Sequence, residues 1–163
     1  MGVGRTRVAA AAAAFAIAVS LGATAFAADI TREDYAARAE PICKVNTKAN
    51  QKIFKGVRKM VTQNKLGLAS KRFKRASASL RKTINQLAAL PQPTGDEQRL
   101  AKWLKYLRVQ RDFLAKIGKA LSAGNKFQAQ NFIVRLRRNS NLANNTVLAF
   151  EFNFCRIDQS RFI

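Results

Sequence analysis

The residues with the clearest chemistry are cations. In the segment CKVNTKANQKIFKGVRK (43–59), lysine recurs at Lys44, Lys48, Lys52, Lys55 and Lys59 with no acidic residue between them. Steps of three and four residues make helical neighbours, so like charges stand side by side. Each such pair costs about 0.2–0.5 kcal/mol at low salt, and the row about 1–2 kcal/mol in all. Local stability therefore does not account for it. An anionic partner would, and so would a solvated face whose repulsion is screened by salt. Lys71, Lys74 and Arg75, with Arg81 and Lys82, repeat the arrangement, and Arg135, Arg137 and Arg138 add to it. The chain has 30 basic against 9 acidic residues, a formal net charge of +21, which attracts polyanions at long range.

Other chemistries lack their residues. Histidine is absent, so there is no imidazole base, no Ser–His or Cys–His pair and no histidine metal ligand. No C-x-x-C-H haem attachment site and no Gly-rich phosphate loop occur. Glu33, Asp34 and Glu40 cluster near one helix start, and Asp96 with Glu97 opens another. Paired carboxylates can do acid–base work. In a first turn they more simply complement the helix dipole. No catalytic, cofactor or metal site is expected, and the chain reads as a non-enzyme.

The elements that would carry these cations begin after a leader. Arg5 and Arg7 precede an apolar run from Val8 to Ala27 that closes on Ala25-Phe26-Ala27, an A-x-A cleavage pattern. This is the layout of a secretory signal peptide over residues 1–27, followed by a single domain over 28–163. The two cysteines, Cys43 and Cys155, lie in the exported part. An even count outside the cytoplasm predicts one disulfide, from the first helix to the C-terminal tail. A loop of that length is worth roughly 4–5 kcal/mol in the chain-entropy model.

Hydrophobic period predicts an all-α chain, an antiparallel four-helix bundle. At 100° per residue, Ile42, Ala49, Ile53, Val57 and Met60 share one face of the first helix, with Tyr35 and Ala39 extending it. The five lysines fall nearly opposite. Thr31 with Asp34 forms a capping box at the start. Pro41 removes a helical hydrogen bond, which predicts a kink there or a short helix handing over to a longer one. The second helix runs from about Leu66 to Leu90, with a stripe of Leu66, Ala69, Phe73, Ala76, Leu80, Ile84 and Leu87. PQPTGD (91–96) breaks the pattern. The third helix spans about Asp96 to Ala123, on Leu100, Trp103, Leu104, Leu107, Leu114, Ile117 and Leu121, and Gly124-Asn125 caps it. The fourth starts near Lys126, on Ala129, Phe132, Leu136, Ala143, Val147 and Phe150. Asn139 and Ser140 sit in that stripe as a candidate polar layer. Phe150, Phe152, Phe154 and Phe162 are expected to close one end of the bundle beside Cys155.

The layout of PICKVNTKANQKI, LAALPQP, WLKYLRVQRDFL, the AGN turn and an aromatic segment ending in Cys155 resembles a group of small exported bacterial all-helical proteins. Their Y-x-x-x-A-x-x-I-C-like start is matched by Tyr35, Ala39, Ile42 and Cys43. The resemblance spans nearly the whole exported part. It implies helical architecture and export and lends no activity. The strong basic charge departs from that group.

The expected partners are anionic envelope polymers or anionic lipid headgroups, bound without a shaped pocket. Nucleic acid is a second partner class, held by phosphate without reading of sequence, because few aromatics accompany the basic faces. A structural or chaperone-like role with no fixed ligand is the alternative. Membrane insertion is disfavoured, since the apolar faces are needed for the core.

Overall fold

The computed structural model describes Met1 and residues 30–158; the expected leader and Phe162 lie outside the described residues. Five α-helices and one 3-10 turn occur among them: α1 (Arg32–Phe54), α2 (Val57–Thr62), α3 (Leu66–Ala88), α4 (Glu97–Ser122), α5 (Lys126–Thr146) and the turn Leu148–Phe150. No strand is present among the described residues. None of the described helices is long and apolar enough to cross a membrane.

Helices α3 and α4 follow their periodicity. Helix α5 buries Ala129, Leu136 and Ala143 and half-buries Phe132 as expected, but it ends at Thr146. Val147 and Phe150 of the expected stripe are therefore buried beyond it, Phe150 in the 3-10 turn. In α3 the buried positions include Ala69, Phe73, Ala76, Leu80, Ile84 and Leu87, and Leu66 is half-buried. In α4 every residue of the expected stripe is buried. Fully burying a leucine-sized side chain contributes about 1.5–3 kcal/mol, so these stripes supply most of the drive to pack. Helix α3 packs on α4, and α4 on α5. At Gly118 an added Cβ would come within 3.1 Å of Lys74 and 3.2 Å of the Ser70 carbonyl, so the missing side chain is what lets α3 approach α4. The Ser70 hydroxyl donates to the Gly118 carbonyl at this crossing (2.6 Å). Gly124, at φ +75°, ends α4 in a left-handed cap, with the Asn125 amide donating back to Ala120 (2.9 Å).

The polar layer forms, with a member that period alone omits. The Gln110 Oε1 accepts from Asn139 Nδ2 (3.1 Å) and from the Ser140 hydroxyl (3.0 Å), all three residues being buried. Asn139 also donates to the Tyr106 carbonyl (2.9 Å). A satisfied layer of this kind sets the register of α5 on α4, because sliding would orphan buried polar groups.

The first helix departs from expectation in three ways. The capping box is present, with the Asp34 amide donating to Thr31 Oγ1 (3.1 Å) and the Thr31 amide to Asp34 Oδ2 (3.2 Å). But α1 runs unbroken through Pro41, whose side is exposed, and no second helix starts there. The interruption falls instead at Lys55-Gly56. Gly56 takes φ +77°, which glycine adopts without steric cost, and the chain restarts as α2. The buried face is also turned from the expected one. Its members are Tyr35, Ala39, Cys43, Thr47, Asn50 and Phe54, while Ile42, Ala49 and Ile53 are only half-buried. The cause is the bridge. Cys43 must face Cys155, and that rotation carries the polar Thr47 and Asn50 inward.

The Cys43–Cys155 disulfide joins positions 112 residues apart, with Cα atoms 5.0 Å from each other. Its surroundings are aromatic. Phe150 and Phe152 are buried against Tyr35 and Trp103, with ring centroids 5.6 Å apart for Tyr35–Phe150 and 5.3 Å for Trp103–Phe152. Phe154 is half-buried. Burial with no partner for its hydroxyl among the described residues pushes the Tyr35 phenol up to about 12.

Candidate anion-binding surface

The helices distribute the cations unevenly. Lys44, Lys48 and Lys52 are exposed on α1, Lys55 caps that helix, and Lys59 lies on α2 beyond the Gly56 break. The five lysines are therefore not one helical row. Lys44 is engaged elsewhere, with its Nζ 5.2 Å from the centre of the Phe154 ring. Lys71, Lys74 and Arg75 are exposed on α3, and Arg135, Arg137 and Arg138 on α5.

Two open grooves flank α2. One, of about 450 Å³, is lined by Met60, Leu68, Lys71, Arg72, Lys74 and Arg75. The other, of about 340 Å³, brings Arg58, Lys126 and Arg137 around an apolar floor that includes Phe73, Leu121 and Ile133. The fold thus gathers Lys71, Lys74, Arg75 and Arg137 at the α2 end. It adds Arg58, Arg72 and Lys126, which the reading by helical face did not single out. Their signal was available: no acidic residue occurs anywhere between Glu40 and Asp96, nor between Asp112 and Glu151. Arg135 and Arg138 line neither groove.

Asp96, Asp112 and Glu40 are occupied away from this surface. Asp96, buried at the start of α4, takes the Arg32 guanidinium from the start of α1 and also pairs with Arg99 (3.3 Å). The pairing raises the Arg32 pKa, first through the hydrogen bond to Asp96. Asp112 pairs with its neighbour Arg111. Glu40 does not serve a helix start as expected, since it lies in the third turn of α1. Its carboxylate accepts from the amides of Asn153 (2.9 Å), Phe154 (2.9 Å) and Cys155 (3.1 Å) and so clamps the tail. Glu40 is one helical turn before Cys43, so the bridge delivers the tail amides to it.

None of the eleven cations named from the sequence joins an ion pair among the described residues. The surface holds uncompensated charge over partly apolar grooves. Anionic groups with an apolar body suit that combination, because the charge is attracted at a distance and the floor covers apolar area on contact. The described residues hold no group of three or more His, Cys, Asp or Glu side chains that could bind a metal. Comparison with family models, with curated proteins and with solved structures gives no match for this chain.

Proposed function

We propose that the protein is an exported, non-enzymatic module that binds anionic surfaces outside the cytoplasm, envelope polymers or anionic lipid headgroups, through the cations around α2. In this reading its long helices form an antiparallel four-helix bundle. Contacts that climb one helix while descending the next support that arrangement: Asn46 meets Ser79, and Phe54 meets Phe73. The disulfide supports an oxidising compartment. The observation that carries the function is the pair of grooves in which Arg58, Lys71, Arg72, Lys74, Arg75, Lys126 and Arg137 converge without acidic partners among the described residues.

The test is co-sedimentation with vesicles of neutral lipid, alone or with a third of anionic lipid, beside titrations with a heparin-like polymer and duplex DNA at two salt concentrations. Binding to anionic vesicles and polymer, weakening as salt rises, supports the reading. Replacing Lys71, Arg72, Lys74 and Arg75 by glutamine should weaken every one of these interactions and flatten its salt dependence, by roughly 0.9 in log–log slope for each DNA phosphate no longer neutralised. Absence of binding at low salt to any of them overturns it. A preference for DNA over the other polyanions would transfer the site to nucleic acid. Phe127 is the one aromatic among the exposed large apolar side chains described, so base stacking has little support.

A further inference from the structure

Away from the basic surface, the core holds a cavity of about 90 Å³ under the C-terminal tail. Leu80, Leu107, Leu114 and Leu136 supply apolar wall, and the Cys43–Cys155 bridge another side. Most of the lining is buried. The lining residues with appreciable exposure are Asn46, Phe154, Arg156 and Ile157, so the mouth lies between α1 and the tail.

Two polar atoms distinguish this cavity from a packing defect. Trp103 lines it at 0% exposure, and its Nε1 is a buried donor with no partner among the described residues. Asn50 lines it at 9% exposure, and its Oδ1 is a buried acceptor with no partner there either. Empty cavities in proteins are apolar, and an unpaired buried polar atom carries a desolvation cost that a native fold normally avoids. The two atoms are complementary in kind: one requires an acceptor, the other a donor. A single hydroxyl or primary amide supplies both, and a carboxylate supplies only acceptors. Size agrees. A cavity of about 150 Å³ holds benzene, so about 90 Å³ suits roughly four heavy atoms, with any longer chain leaving by the mouth.

We propose that this cavity is a binding site for a small neutral aliphatic molecule bearing a hydroxyl or primary amide, whose polar group accepts from Trp103 and donates to Asn50 while its body lies among the leucines. The site is independent of the anionic surface reading. The tail strap forms one side of its mouth, held by Glu40, by the disulfide, and by Asn144, whose side chain receives the Ile157 amide (2.8 Å) and donates to the Ile157 carbonyl (3.1 Å).

The chain has one tryptophan, so the indole N–H resonance of the oxidised protein reports directly on the site. The experiment titrates 1-propanol, propionamide and propionate, the last two having the same number of heavy atoms. The neutral probes should shift the Trp103 indole signal saturably, with Kd on the order of 1–10 mM for so few atoms. Propionate should bind at least about tenfold more weakly. Asn50→Leu keeps side-chain size and removes the acceptor; it should weaken 1-propanol and propionamide by about tenfold or more while the protein stays folded. Three results would overturn the proposal: no saturable shift with either neutral probe, which would mean that water alone fills the cavity; propionate binding as well as propionamide, which would place an anion at Arg156 instead; or an unchanged affinity in Asn50→Leu.

Discussion

Around Cys43 the chain is held by directional bonds, whereas around Gly56 it is held chiefly by apolar packing. The first region has the disulfide, the three amides on Glu40, the Asp96–Arg32 pair and a cluster of four rings. The second has Phe54 edge-on to Phe73 (5.1 Å), Val57 buried beside them, and a ring of like charges outside. One disulfide and the hydrogen bonds to Glu40 and Asn144 place a tail that has no helical apolar face of its own. Apolar packing is indifferent to charge at the rim, so cations accumulate where no specific contact requires an acid. One region is built for definition and the other tolerates a field.

Reducing the bridge is the strongest way to break that contrast. Loss of a cross-link closing so long a loop removes roughly 4–5 kcal/mol, a fall in Tm on the order of 10–20 °C for a domain of this size. Thermal melts with and without reductant measure it. A fall of less than about 3 °C would show that the tail is held by its other contacts and that the two regions differ less than described.

Glu40→Ala tests the clamp while leaving the bridge. It strands three tail amides and should cost about 1.5–3 kcal/mol, the range for hydrogen bonds to a charged acceptor. Glu40→Gln should cost less. Hydrogen exchange at Asn153, Phe154 and Cys155 should accelerate in both, with little change in α2.

Alkaline pH probes the same region through Tyr35. Its folded pKa of about 12 lies above the ordinary value of 10.0. Between those values the unfolded chain has released the proton and the folded chain retains it, so stability falls as pH rises through that window. The contribution, about 2–3 kcal/mol, is fully present below pH 10 and lost above about pH 12. Tyr35→Phe removes an unpartnered buried hydroxyl, so it should flatten this slope without destabilising the protein at neutral pH. Urea midpoints measured across the alkaline range decide it.

The smallest effect belongs to the charged side. Replacing Lys44, Lys48, Lys52, Lys55 and Lys59 by glutamine relieves two pairs within a helix, 44/48 and 48/52, because Lys55 is the non-helical cap that ends α1 and the Gly56 break separates it from Lys59. The gain is about 0.4–1 kcal/mol at low salt. Removing the Lys44 ammonium from the face of Phe154 offsets about 0.5–1 kcal/mol of it. Urea midpoints should therefore move little, while affinity for anionic vesicles should drop. Removing the groove cations Lys71, Arg72, Lys74 and Arg75 should reduce that affinity further.

Three long helices, the Thr31 and Gly124 caps and the cysteine pairing were legible in the sequence, since each depends on residues close in the chain or on a count. Leu100 through Leu121 repeat at helical steps, Gly124 supplies a left-handed cap, and two cysteines allow one intramolecular bridge. The buried face of α1 was not legible, because Thr47 and Asn50 look like solvent-facing residues until the bridge turns them inward. Nor was the cavity, whose Trp103 and Asn50 lie 53 positions apart and have nothing local to relate them. Charge and helical period are properties of composition and neighbourhood, so the sequence by itself determined a basic helical protein. Tertiary structure alone decided that Glu40 holds the tail, that Arg58, Arg72 and Lys126 join the grooves, and that two polar atoms face the core unpaired. Each of these depends on how one helix is turned against another, set by the Cys43–Cys155 bridge for α1 and the tail and by apolar packing around α2, and encoded by local periodicity in neither case.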